Sequence, residues 1–239
     1  MNSTKKAARI AGFWYFVSSL PAPFALLYVP SVFMVMGAAN PATATANKIR
    51  SSELLFRAGI VAELLSATLF ILAAMALYEL LKGVSKRNAL LMLIFMVVSV
   101  PISYLNELNR IAALMLANGT RFSLALDQGQ LDTLAMALLH LHNSGLVLAQ
   151  IFWGVWLFPF GVLVYRSGFL PRILGILLII AGIGYVGDSL THLLFPAYTE
   201  IAFKFMTVAG ALGEGSTMLW LLIVGAKDQP LAAAALTGQ

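Results

Sequence analysis

The chain has 239 residues, of which 60% are hydrophobic and 10% charged, with no cysteine and a formal charge of +5. A mean hydropathy of +0.89 excludes a soluble domain of this size, which would need a polar skin. The missing cysteines exclude disulfides, thiolate catalysis and cysteine-held metal. The positive charge sits in short turns between apolar runs, so it reads as a topology signal and no nucleic-acid partner is expected.

The apolar runs are unbroken rather than alternating, which predicts helices and not barrel strands. Six spans are expected, at about 8–36, 54–81, 89–116, 131–165, 173–194 and 201–224. The first follows Lys5, Lys6 and Arg9 like a secretory signal. It is too long for one and carries Pro21, Pro23 and Pro30, so it reads as a retained span. Segments 38–52 and 117–130 are polar and are expected to hold short interfacial helices. Turns 82–88 and 166–172 are tight, with Gly83, Gly168 and Pro171 at helix ends. Pro101 and Pro159 fall inside spans and predict kinks.

Lysine and arginine set the orientation. Lys5, Lys6, Arg9, Lys82, Lys86, Arg87, Arg166, Arg172 and Lys227 share one side, against Lys48, Arg50, Arg121 and Lys204 on the other. This excess places both termini in the cytoplasm. The fold expected is an all-α integral membrane bundle of six transmembrane helices. It forms a single membrane domain over 1–226, with a flexible cytoplasmic tail over 227–239.

Ionisable residues within the spans are the functional signal, because each costs roughly 2.5–3.5 kcal/mol at a helix centre. Helical phase groups them. On the third span Asn106 and Arg110 share a face, with Glu107 about a quarter turn away. On the fourth, Asp132, His140, Asn143 and Gln150 form one stripe, while His142 falls on a small-residue packing face with Gly145 and Ala149. Tyr185, Asp188 and His192 share a face of the fifth span, and Gly210, Glu214 and Thr217 one of the sixth. Glu53, Arg57 and Glu63 lie on the second. Glu53, Arg57, Glu63, Asn106, Arg110, His140, His142, Asp188 and His192 fall in the external half and Glu214 near the middle, which predicts one polar pocket open to the outside and closed below by apolar packing.

Three readings of that pocket stand side by side. It binds or transports a small polar or amphipathic molecule, with Arg110 as the contact for an anion or headgroup. It is an intramembrane hydrolase, with zinc held by His142, Asp188 and His192 and Glu63 or Glu214 as general base. Or it is structural or partner-binding, with Arg110 paired to Glu63 or Glu107 and Asp188 to His192. There is no HExxH, phosphate loop or nucleophile elbow to choose an enzyme class.

Several stretches resemble one bacterial family. These are 8–13 (ARIAGF), 52–57 (SELLFR), 76–82 (ALYELLK) and the long run from His142 through Phe152-Trp153-Gly154, Pro159, 166–175 (RSGFLPRILG) and 184–188 (GYVGD). That family is catalogued as domain of unknown function 4386. The resemblance implies a multi-pass protein of the bacterial inner membrane, with membrane lipids as its partners and no activity attached. It includes His142 and Asp188 but not His140, whereas helical phase favours His140.

Overall fold

A computed structural model describes residues 3–119 and 126–227. Arg121 and the tail beyond 227 lie outside the described residues. Among those described there are no strands, and the elements form seven helices. They are α1 (Ser3–Phe33), α2 (Pro41–Ser51), α3 (Glu53–Leu81), α4 (Lys86–Ala117), α5 (Gln128–Arg166), α6 (Arg172–Leu194) and α7 (Pro196–Val224). All except α2 are long and apolar enough to cross a membrane. Large apolar side chains such as Leu54, Val61, Leu105, Ile201 and Val208 are exposed around the bundle, the outward face expected against lipid tails.

The six spanning helices close into a ring, each packing on the next in the order α1, α3, α4, α5, α6, α7 and back to α1. Both described ends of the chain lie at one end of the bundle, called proximal below; the other end is distal. Ser85 caps α4, its Oγ 3.4 Å from the Asn88 N–H, and Asp127 and Gln130 form a capping box on α5. Gly168 turns the chain from α5 into α6 with φ +73, a left-handed conformation that glycine adopts without strain.

Proline shapes the long helices without ending them. In α1, a π-helical turn at Phe24–Tyr28 sits between Pro23 and Pro30. In α5 the regular helix breaks at Trp156, just before Pro159, whose missing N–H removes a hydrogen bond there.

The proximal half is an apolar plug. Tyr15, Leu77, Leu81, Met92, Met96, Trp156, Leu157 and Phe160 are all buried in it, and Trp156 stacks on Phe160 with centroids 5.1 Å apart. A second core of Val29, Phe33, Ile49, Phe56, Ile60, Leu114 and Leu139 closes the distal half. The polar segment before α3 does hold a helix. In α2, Asn40 caps the first turn and Arg50 reaches α5, with Nη1 2.8 Å from Asp132 Oδ1 and 2.6 Å from the Ala117 carbonyl. Gln128 adds a hydrogen bond of 2.9 Å to the same carboxylate. This buried Asp132 therefore anchors the interfacial helix and does not face the site below.

Candidate functional site

Between the two apolar cores, three helices bring Glu63 (α3), Glu107 and Arg110 (α4) and His142 (α5) together, all buried. Arg110 is the hub. Its Nη1 lies 3.4 Å from Glu63 Oε2 and 3.5 Å from Glu107 Oε1. Spacing of three on one helix puts Glu107 and Arg110 on neighbouring positions, and the ring brings Glu63 across from α3. Its guanidinium also lies 5.2 Å from the Phe56 ring centroid, in the cation–π range.

Two glycines make this possible. A Cβ at Gly59 would sit 2.6 Å from Arg110 Nη2, so only a bare backbone lets the guanidinium lie against α3. At Gly145 a Cβ would collide with the Asn106 side chain. Asn106 uses that space to donate from Nδ2 to the His142 carbonyl at 3.0 Å and to His142 Nδ1 at 3.1 Å. His142 Nδ1 also lies 3.4 Å from the Asn106 carbonyl and 3.6 Å from Glu107 Oε1, so it has acceptors as well as a donor in reach, while Nε2 faces Glu63 Oε2 at 3.9 Å.

With His142 neutral, two carboxylates against one guanidinium carry at most one net negative charge, and none if one carboxyl holds a proton. Three buried atoms keep unfilled hydrogen-bonding capacity: Glu63 Oε1, Glu107 Oε2 and Arg110 Nη2. Beside Arg110 and His142 opens a cleft of about 30 Å³, walled by Val29, Pro30 and Phe33 of α1, Met34 just after it, Phe56, Leu139 and Asn143. That volume holds roughly one or two waters. The cleft wall from α1 is the proline-bounded part of that helix.

The structure divides the residues that sequence placed in one pocket. Glu63, Asn106, Arg110 and His142 meet, and Glu107 joins them. His140 is exposed and points away. Helical phase favours His140 through its alignment with Asp132, Asn143 and Gln150; the structure seats His142 instead, because α4 packs on the small-residue face where Gly145 admits Asn106. Glu53 and Arg57 pair with each other near the distal end, 2.6 Å apart, with Asn118 as a further partner of Glu53. Gln150 is half-buried one side of the plug, its Oε1 without a hydrogen bond. Glu214 is half-buried near the middle of α7, beside the hydroxyls of Tyr15 and Tyr185.

The expected metal set does not converge. Among the described residues, the group whose donor atoms all approach within 4.8 Å is Glu63, Glu107 and His142. Asp188 and His192 form their own i,i+4 pair on α6, with Nδ1 3.5 Å from Oδ1. The Glu63–Glu107–His142 donors suit a divalent ion in number and type. The same two carboxylates already flank Arg110, however. A dication there would meet the guanidinium's charge at close range, so the donor set fits zinc poorly.

The family described as domain of unknown function (DUF4386) matches residues 10–225. The chain belongs to that family. A relative from Archaeoglobus fulgidus, described as an uncharacterised protein, is 34% identical over 169 residues, covering 70% of this chain and 84% of its own. No solved structure matches the chain. The family match extends across about nine-tenths of the chain and includes every residue of the charged cluster, from Glu63 to His142.

Proposed function

We propose that this multi-pass membrane protein binds an uncharged amphipathic molecule at the Arg110–His142 cleft, with hydroxyl or amide groups in its head and a short hydrocarbon tail. The observation that carries the reading is the unfilled donor Arg110 Nη2 at the cleft that Arg110 and His142 line, with the unfilled acceptors Glu63 Oε1 and Glu107 Oε2 buried next to Arg110 and outside the cleft lining. Leaving such groups unpaired in a dry interior costs roughly 1–3 kcal/mol each, which a head that both donates and accepts would recover. The charge balance argues against the anion suggested by Arg110 alone: the site is neutral or negative before any ligand enters. The apolar cleft walls suit the tail.

In this reading α1 is the movable wall. The cleft is too small for a ligand as it stands, and the segment bearing Val29, Pro30 and Phe33 follows a π-helical turn bounded by prolines. Displacing that segment widens the cleft without breaking the α3–α4–α5 cluster. The plug of Trp156 and Phe160 keeps the proximal half shut, so exchange occurs from the distal side or from the bilayer.

The test is thermal unfolding of the full chain in a non-ionic detergent, with 1-decanoylglycerol or decanoate added. The monoacylglycerol is expected to raise the midpoint, by about 2.7 kcal/mol of stabilisation at a hundredfold excess over Kd. Arg110→Met should abolish that rise. Stabilisation by decanoate through Arg110 would overturn the neutral-ligand reading. A purely structural cluster would respond to neither compound.

A second reading, metal-dependent hydrolysis, is favoured by the convergence of Glu63, Glu107 and His142. Stoichiometric zinc in protein purified without chelator, lost in His142→Ala, would support it. Zinc-free protein that still binds monoacylglycerol would exclude it.

A further inference from the structure

A second cleft lies between α6 and α7, away from the charged cluster, with a volume of about 320 Å³. That is the size of a small ligand pocket. Its walls include Gly187, Thr191, Tyr198, Ile201 and Phe205, and Asp188 forms part of its lining. Asp188 is 1% exposed, yet no hydrogen bond reaches either of its carboxylate oxygens. His192 is the nearby cation candidate, but its Nδ1 is 3.1 Å from the Asp188 backbone carbonyl and 3.5 Å from Oδ1. One ring nitrogen facing two acceptors, the closer of them the carbonyl, leaves the carboxylate with the 3.5 Å contact to His192 and no hydrogen bond. Thr191 spends its hydroxyl on the Gly187 carbonyl at 2.7 Å.

A buried carboxylate without hydrogen bonds is among the costliest groups a membrane helix can carry. Here it lies covered in the floor of a cleft whose lining includes two exposed aromatic residues, Tyr198 and Phe205. A carboxylate and aromatic side chains around one cleft are the chemistry that recognises an organic ammonium. The depth is also suitable. Asp188 lies six residues before the distal end of α6 at Leu194, or about 9 Å along the helix, where an amphiphile's head can enter from the interface. The apolar remainder of the cleft, Ile201 included, would take the adjoining hydrocarbon.

We infer that the α6–α7 cleft is a binding site for an amphiphile with an ammonium head, paired with Asp188. This inference is independent of the ligand proposed at Arg110. The ammonium can come from a free alkylamine or from an aminophospholipid of the bilayer, and the test separates these sources.

The experiment is native mass spectrometry of the full chain released from a non-ionic detergent, titrated with dodecyltrimethylammonium, dodecyl sulfate, phosphatidylethanolamine or phosphatidylglycerol. One equivalent of an ammonium compound is expected to bind, and its anionic counterpart is not. Asp188→Asn keeps the shape and should lower the affinity about tenfold or more. Gly187→Phe should do the same by filling the cleft, since a Cβ at Gly187 has nothing within 4 Å. Arg110→Met should leave the ammonium affinity unchanged. Selective gain by the single-chain amine identifies a free ligand, and gain by phosphatidylethanolamine a bilayer lipid. Full ammonium affinity in either cleft variant, in protein that melts at the parental temperature, would overturn the assignment. Equal binding of dodecyl sulfate would overturn it too.

Discussion

Replacing Arg110 by methionine isolates what the charged cluster contributes. Methionine keeps an unbranched stem of similar volume but removes the cation between Glu63 and Glu107, which approach it at 3.4 and 3.5 Å. Two buried carboxylates would then face each other in a low dielectric. Removing one partner from a buried ion pair typically costs about 3–5 kcal/mol. For a chain of this size that corresponds to a fall of roughly 6–20 °C in melting temperature. The four tryptophans allow this to be followed by intrinsic fluorescence, and the absence of cysteine removes thiol side reactions. The companion variant, Glu63→Gln with Glu107→Gln and Arg110→Met, deletes the whole charge set. It should recover most of the loss, because a fully neutral replacement of a buried ion group is often harmless. A fall of less than 2–3 °C for Arg110→Met alone, about 1 kcal/mol, would refute the reasoning. So would a triple variant no more stable than the single one.

Three further outcomes follow from the same contacts. Gly145→Ala drives a methyl group into Asn106, and Gly59→Ala meets Arg110; each should cost roughly 1–3 kcal/mol in the same melting assay. Arg50→Ala should loosen α2 from the distal end of α5, at roughly 1–3 kcal/mol for its hydrogen bonds to Asp132. In Asp132→Asn the same substitution should cost much less, since the pair is already broken. Single cysteines placed at Lys48 and Lys86 report the orientation: an impermeant maleimide should label the Lys48→Cys protein on intact cells and the Lys86→Cys protein only after lysis. The reverse pattern would turn the bundle over in its membrane.

The spans were legible because composition and length decide them with little help from packing. Even α1, with its three prolines, continues as a helix, since proline removes single hydrogen bonds that the surrounding protein compensates. The hub was legible as well: Glu63, Asn106 and Arg110 stand out as polar residues in apolar runs. Glu107 was placed a quarter turn from the site. It joins because a long carboxylate reaches back to Arg110 three residues on. The histidines show the limit of periodicity. Phase favours His140 through its alignment with Asp132, but Asp132 itself points to Arg50 of α2, a contact between segments that helical phase does not encode. The signal that did separate them was Gly145: a small residue marks where α4 approaches, and His142 lies on that face. Asp188 and His192 share the depth of the charged cluster but not its side of the ring. Sequence gives depth from length and facing from phase, but not which helices become neighbours, so one expected pocket resolves into two sites.

The most direct test of the account is photocrosslinking with a diazirine-bearing monoacylglycerol on the full chain in lipid nanodiscs, with adducts located by peptide mass spectrometry. Adducts are expected to concentrate on the cleft walls, at residues 29–34, at Phe56 and at 139–143, and to be lost in Arg110→Met. Adducts spread evenly over the lipid-facing belt, or an unchanged pattern in Arg110→Met, would contradict it.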